Sequence, residues 1–154
     1  VSEDQVPAVR KLYALSKDAA CHAEMASAGA IEVLVSILTN TNAPATEFAA
    51  RALANLVVDS NERQLQCAGA IEPLVVMLNG GVDVPGHAGR QGAAARAISA
   101  LASSPENAEA IVRAGATEPL QALMKINNPA RAASAAAALE KMGLLVTERD
   151  MGME

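Results

Sequence analysis

The chain has 154 residues, a net charge of −5 and a pI near 5.0, so it is long enough to bury a core of its own, and its acidity disfavours nucleic acid as a partner. Half of the residues are apolar but only 1% are aromatic, and no apolar run reaches the length of a membrane span. Two cysteines are too few for the disulfide framework of a secreted domain, so we expect reduced, buried thiols and an intracellular protein, cytoplasmic or nuclear.

The first predicted element is a helix over residues 3–16, in which Val9, Leu12 and Tyr13 recur at helical spacing. It matches the last helix of the units described below but lacks the two helices that precede it there. We therefore expect residues 3–16 to be a partial repeat. Because the chain begins at Val1 and not at Met, we also expect it to be a segment of a longer protein.

One phrase occurs three times and divides the rest of the chain into units. It reads AGAIE at 28–32 and at 68–72, and AGATE at 114–118, so that its glycines lie 40 and then 46 residues apart. A period of this size is typical of a helical solenoid, in which each unit buries its apolar face against the next. The predicted units span 18–58, 60–103 and 105–143, and a charged tail follows over 144–154.

Each unit is predicted to contain three helices. A short helix with one apolar anchor (Met25, Leu65 or Ile111) ends at the glycine of the phrase, where a left-handed residue lets the chain turn sharply. A second helix follows at once, with apolar residues at spacings of three, four and seven on one face. In the first two units this stripe consists of Ile31, Leu34, Val35 and Leu38, and of Ile71, Leu74, Val75 and Leu78; in the third it consists of Leu120, Leu123 and Met124.

A longer third helix closes each unit. The first is predicted over about 46–58 and the second over about 89–103, and the third follows the start signal Asn128-Pro129. Between the second and third helices of the middle unit, the stretch 79–87 is rich in glycine and proline, which predicts a loop and accounts for the longer second spacing. This loop is either a harmless insertion or a contact element at the edge of a groove.

These patterns resemble the armadillo repeat family. The resemblance rests on AGAIEPLVVML in the middle unit and on AARALANLVVDSNERQL in the first, and it extends over roughly residues 3–143. It implies an all-α fold, a right-handed α-solenoid (armadillo repeat superhelix) with about three full repeats after the partial one, forming a single domain over 1–154. It also implies a non-catalytic scaffold for protein–protein interaction.

In this family the third helices line a concave groove, where two positions four residues apart contact the partner. Nuclear import adaptors of the family use a tryptophan and an asparagine there, but this chain has no tryptophan, so we do not expect their mode of binding. The first position is occupied here by Arg10, Arg51, Arg96 and Ala137, and the second by Ala14, Asn55, Ala100 and Lys141.

One arginine per unit resembles the cationic groove of beta-catenin-like scaffolds, which bind acidic extended peptides. The resemblance therefore implies an extended, acidic peptide as the partner, bound through Arg10, Arg51, Asn55, Arg96 and Lys141. Two local alternatives remain open. Arg51 follows Glu47 by one helical turn and would then simply pair with it, and Asn55 would brace a neighbouring helix.

No residues converge in a pattern that predicts catalysis, a metal site or a cofactor. His22 and His87 lie in different units without a cysteine or carboxylate at metal-ligand spacing, and no phosphate-binding glycine motif occurs. Two alternatives to the groove hypothesis remain. The chain would be a structural module that associates with neighbouring repeats or with itself through its terminal helices, or the binding arm of a larger enzyme such as a ubiquitin ligase.

Overall fold

A computed structural model describes residues 5–39, 43–79 and 87–144. These residues form ten α-helices and two short 3₁₀ turns, and no strand occurs among them. The helices are α1 (Gln5–Ser16), α2 (His22–Ser27), α3 (Ala30–Leu38), α4 (Ala43–Val57), α5 (Asn61–Gln66), α6 (Ile71–Asn79), α7 (His87–Leu101), α8 (Pro105–Arg113), α9 (Thr117–Met124) and α10 (Pro129–Lys141). The 3₁₀ turns Ala19–Cys21 and Ala68–Ala70 precede α2 and α6.

The long helices α1, α4, α7 and α10 stack side by side in this order, and α3, α6 and α9 pack against α4, α7 and α10. The core runs along the whole stack and consists largely of alanine, leucine and isoleucine. Alanine is the best helix former, and its small side chain lets neighbouring helices approach closely. The architecture is a right-handed α-solenoid of the armadillo type, which confirms the predicted fold class.

Two of the three phrase glycines have the predicted left-handed conformation. Gly29 has φ of 87° and Gly115 has φ of 86°. At the end of α8 the Gly115 amide donates to the carbonyl of Val112 at 3.0 Å, and the Ala116 amide donates to that of Ile111 at 3.3 Å. These two hydrogen bonds form a Schellman motif, which satisfies the last carbonyls of the helix and turns the chain into α9.

In the middle unit the same prediction is wrong. Gly69 lies in a 3₁₀ turn without a positive φ, and Leu65, the predicted anchor of α5, is 42% exposed. Gln64 of α5 is buried instead of Leu65, and so is Cys67 directly after this helix. The Gln64 side chain donates to the carbonyl of Val57 at 3.0 Å, and its own backbone carbonyl accepts from the buried side chain of Asn107 at 2.7 Å. These hydrogen bonds hold α5 in a register that turns Leu65 outward.

The predicted start signal Asn128-Pro129 begins α10, and Ser60 and Ser104 stand at the corresponding positions before α5 and α8. The side chains of Ser60 and Asn128 accept the backbone amides of Arg63 and Arg131 at 3.2 and 3.1 Å, as N-caps do. The Ser104 side chain makes no cap hydrogen bond; it donates to a carboxylate oxygen of Glu106 at 2.9 Å. Pro105 therefore begins α8 without a side-chain N-cap, because the Ser104 hydroxyl is bound to Glu106.

The second helices bury the predicted stripes, except that Val35 is half-buried and Met124 is 37% exposed. Of the two free cysteines, Cys67 is buried as predicted, whereas Cys21 is only half-buried.

The predicted division into one domain with repeats at 18–58, 60–103 and 105–143 stays a prediction. In the predicted loop, 80–86 lie outside the described residues, as do 145–154 of the predicted tail. Among the described helices none is by itself long and apolar enough to cross a membrane. The helical segments 19–27 and 30–38 would together be long and apolar enough to cross a membrane, but the chain bends by 85° between them.

Candidate functional site

A groove runs across the long helices α4, α7 and α10. It encloses about 400 Å³, and its walls carry three arginines, one from each helix, around a floor of small residues. We call this depression the central groove; its lining residues are Arg51 of α4, Ala88, Gly89, Gly92, Ala93 and Arg96 of α7, and Asn128, Ala130, Arg131 and Ser134 at the start of α10. The structure thus brings two of the predicted site residues, Arg51 and Arg96, to one surface.

Arg51 is already paired within its own helix. Its guanidinium donates to Glu47 Oε1 at 2.6 Å, and the two side chains are 38% and 25% exposed. The Nε of Arg51 is buried and has no hydrogen-bond partner among the described residues. The Glu47 carboxylate fits here because Gly89 of α7 has no side chain, since a Cβ at that position would lie 2.7 Å from Glu47 Oε1. An anion that binds Arg51 must therefore compete with Glu47.

Asn55 connects three long helices. Its side-chain oxygen accepts from the Arg96 guanidinium at 2.6 Å, and its side-chain amide donates to Ser16 Oγ at 3.1 Å. The Ser16 hydroxyl in turn donates to the carbonyl of Tyr13 at 2.6 Å. Asn55 thus braces the neighbouring helices, which is the second of the two local alternatives above. Binding of a ligand by Asn55 or Arg96 stays a prediction.

Arg131 is a groove residue that the sequence analysis missed. Its guanidinium donates to Gln91 Oε1 of α7 at 3.1 Å, and its side chain passes close to Gly92, where a Cβ would lie 3.2 Å from Arg131 Cγ. The interval of 41 residues between Arg90 and Arg131 equals that between Arg10 and Arg51. This interval makes Arg131 the repeat equivalent of Arg90, but it does not predict a place in the groove, because Arg90 is not among the lining residues.

Arg10 lies outside the central groove, beside an aromatic pair between α1 and α4. The guanidinium carbon of Arg10 lies 5.1 Å from the centroid of the Phe48 ring, and Lys17 Nζ lies 4.6 Å from that of Tyr13. The two rings contact each other with centroids 5.7 Å apart. Both aromatic side chains of the protein therefore already carry a cation from α1 or its C-terminal end.

Lys141 also lies outside the central groove, at the end of α10. Its ammonium donates to the carbonyl of Ser99 on α7 at 2.8 Å, and burial lowers the pKa of this lysine. The hydrogen bond joins α10 to α7 as Asn55 joins α4 to α1 and α7. A role of Arg10 or Lys141 in partner binding stays a prediction.

The central groove is electropositive. Its lining contains three guanidinium groups and no carboxylate, and Glu47 is the acidic side chain that reaches its edge. Two guanidinium groups, or one that forks onto both oxygens, suit a carboxylate or phosphate. No three His, Cys, Asp or Glu side chains come together for a metal ion within the described parts of the chain.

At the N-terminal end of the stack an apolar side chain is exposed between α1 and α3. A cleft of about 400 Å³ between α1 and α3 is bordered by Leu12, Val33 and Ile37, and Val33 is 51% exposed. Association through the terminal helices stays a prediction.

No protein-family model and no curated protein sequence matches the chain. Among solved structures, two engineered proteins are each 34% identical, with a TM-score of 0.79 over 92% of this chain and 58% or 57% of theirs. A designed armadillo repeat protein is 26% identical with a TM-score of 0.81 over 92% of this chain and 60% of its own. Another, in complex with the peptide (KR)4, is 27% identical with a TM-score of 0.75 over 88% of this chain and 56% of its own.

The chain spans less than two thirds of the length of each of these structures. With TM-scores of 0.75 to 0.81 they share the fold of this chain. The three copies of the AGAIE-like phrase and the stacked long helices are also typical of armadillo repeats. This chain belongs to the armadillo-like repeat proteins.

Proposed function

We propose that this chain is a non-catalytic scaffold that binds an extended, acidic peptide segment in the central groove. The observation that carries the proposal is the position of Arg51, Arg96 and Arg131, which reach one groove from three successive long helices. A peptide that follows the groove would meet a guanidinium group at each repeat. Acidic or phosphorylated side chains are the groups that this spacing of cations recognises.

The floor of the groove supports binding of an extended backbone. The exposed residues Ala88 and Ala130 present little side-chain bulk, so a ligand can approach α7 and α10 closely there while its side chains reach the arginines. The spaces beside Gly89 and Gly92 are already filled by the side chains of Glu47 and Arg131. Extended peptides bind with backbone and alternate side chains on different surfaces. One designed armadillo relative holds a peptide, (KR)4, which is basic; the arginines here favour the opposite charge.

A direct test measures fluorescence anisotropy of a labelled decapeptide of alternating glutamate and serine. We expect saturable binding that weakens as the salt concentration rises from about 0.05 to about 0.5 M, because partly exposed ion pairs are screened over this range. The matching decapeptide of alternating lysine and serine is not expected to bind. Equal binding of both peptides would contradict the proposed charge preference.

The variant that tests the groove is Arg51→Gln combined with Arg96→Gln. Glutamine is preferable to glutamate here because Arg51→Glu would place a second carboxylate beside Glu47 and disturb folding. Each partly exposed ion pair is worth about 0.7 kcal/mol, so the loss of two pairs corresponds to about tenfold weaker binding.

The matched control is Arg113→Gln combined with Lys125→Gln. Both side chains are exposed and neither lines the central groove, and the double variant removes the same charge. The proposal requires the control to bind the acidic peptide as the unaltered chain does. If control and groove variants weaken binding equally, the net charge of the protein and not the groove attracts the peptide.

A further inference from the structure

A second pocket, which shares no lining residue with the central groove, lies at the junction of α3, α4, α6 and α7. It encloses about 450 Å³, a size within the range of small-ligand pockets. One side is apolar and is formed mainly by Pro73, Val76 and Met77 of α6. The opposite side is formed by the first turn of α7 and carries two nitrogen-containing side chains, His87 and Arg90. We call it the junction pocket.

Both nitrogen-containing side chains have buried atoms without a partner. His87 is only 5% exposed, yet its Nε2 makes no hydrogen bond, and the same holds for the buried Nε of Arg90. Buried donors are almost always satisfied in folded proteins, because leaving one unpaired costs about 1–3 kcal/mol. Arg90 Nε is a donor, and His87 Nε2 is one in the tautomer that carries its proton there. Two such atoms at one pocket leave a place for an acceptor from outside the described residues.

The charges of the pocket indicate which acceptor it is. No carboxylate lies within ion-pair distance of Arg90 among the described residues, and the positive end of the α7 dipole also lies at His87. Burial and the nearby guanidinium groups of Arg90 and Arg131 lower the pKa of His87, so its imidazole is neutral at pH 7 and one ring nitrogen carries a proton to donate. Glu72 is the acidic residue in the pocket lining, and its side chain opposes an anion.

We propose that the junction pocket binds a carboxylate attached to a compact apolar group. The carboxylate would accept from Arg90 and His87, and the apolar group would cover Pro73, Val76 and Met77. This chemistry has two sources, a small carboxylic acid and the carboxyl-terminal residue of a peptide that ends in an apolar side chain. The inference does not depend on the proposed function of the central groove.

The test is an NMR titration of the ¹⁵N-labelled chain with hexanoate and, separately, with the peptide acetyl-Ala-Ala-Leu. Hexanamide and the carboxyl-amidated peptide are the uncharged controls. We expect saturable shifts at His87, Arg90 and Met77 in the millimolar range, which is usual for ligands of about eight non-hydrogen atoms. The amides should shift these signals at least about tenfold more weakly, because they do not carry the charge that Arg90 attracts.

Binding of hexanoate alone would assign the pocket to small acids, and binding of the peptide alone would assign it to peptide termini. Either result supports the inference. If neither acid produces saturable shifts, or if the amides bind equally well, the carboxylate assignment is wrong.

The variant pair that tests the location is Val76→Glu and Val76→Gln. Val76 is 69% exposed at the pocket rim, so neither change should unfold the chain. Both variants lose the apolar contact at Val76, so we expect both to weaken binding of the two acids. The glutamate variant should weaken it at least about fivefold more than the glutamine variant, because the two side chains have nearly the same shape and differ in charge. Glu72→Gln should strengthen binding, since it removes the carboxylate that opposes the ligand. Equal binding by all three variants would overturn the proposed position of the ligand.

Discussion

Glu47 offers the sharpest test of how the central groove recognises an anion. Its carboxylate accepts from Arg51 at 2.6 Å and occupies the space that Gly89 leaves open. Glu47 thus stands where a ligand carboxylate would bind, as an internal competitor. The change Glu47→Gln removes this competitor and keeps the size of the side chain.

The expected gain in affinity follows from the exposure of Arg51 and Glu47. The two side chains are 38% and 25% exposed, so solvent screens their attraction, which is worth about 0.5–1 kcal/mol. Removing the competitor returns at most this amount to ligand binding, which corresponds to an affinity for the acidic decapeptide that is about two- to fivefold higher. The same loss lowers the free energy of unfolding by about 0.5–1 kcal/mol and the melting temperature by about 1–4 °C.

The assay is the anisotropy titration with the glutamate–serine decapeptide, together with thermal unfolding. Glu109→Gln on α8 is the matched control, because Glu109 is exposed, lies outside the groove and carries the same charge. Higher affinity in Glu47→Gln than in Glu109→Gln supports competition by Glu47. If both variants bind with the same affinity, Arg51 does not contact the ligand and the reasoning about the groove is refuted.

Three further predictions concern single residues. Gly115→Ala should lower the free energy of unfolding by about 1 kcal/mol, because the φ of Gly115 is 86° and a Cβ there would gain no contact that offsets the strain. Gly69→Ala should leave the free energy of unfolding unchanged, because a Cβ there would lie 3.6 Å from Val35 Cγ1, an ordinary contact distance. Urea unfolding measures both. Burial raises the pKa of Cys67 to about 12, so a thiol reagent at pH 8 should label half-buried Cys21 first and Cys67 only after unfolding; equal labelling rates would contradict this. Burial lowers the pKa of His87 below its ordinary value. The unfolded chain therefore binds the proton first as the pH falls below about 6.5, and the free energy of unfolding decreases. His87→Gln should flatten this decrease, which urea unfolding between about pH 7.5 and 5.5 measures.

The sequence predicted the stacking of the helices because stacking depends on features that recur in every unit. The period of the phrase and the apolar stripes with Ile31, Leu34 and Ile71, Leu74 act together over whole helices, so a local exception does not change the outcome. The exceptions occur where one polar contact decides. The Gln64 side chain donates to the carbonyl of Val57, the Gln64 carbonyl accepts from the Asn107 side chain, and α5 is held in a register that exposes Leu65. No periodic pattern contains that information.

The central groove was predictable only in part for a similar reason. The backbone position of Arg51 and Arg96 follows from the repeat, but the endpoints of long side chains depend on their neighbours. Glu47 reaches Arg51 because Gly89 leaves space on the adjacent helix, and Arg131 reaches the groove past Gly92. These relations join residues about 40 positions apart and become visible only when the helices are placed side by side.

Variants of Asn55 test whether this residue braces the helices or contacts the ligand, because its side chain is hydrogen-bonded to both Ser16 and Arg96. Asn55→Ala removes hydrogen bonds to Ser16 and Arg96, each worth about 1 kcal/mol, and should lower the free energy of unfolding by about 1–2 kcal/mol. If Asn55 only braces the stack, this variant frees Arg96, and the acidic decapeptide should bind as well as before or more tightly. Asn55→Asp should then weaken binding, because its charge would neutralise Arg96. If Asn55 instead holds the ligand backbone, both variants must weaken binding. The alanine variant therefore separates the two roles, because only a ligand contact by Asn55 makes this variant bind more weakly.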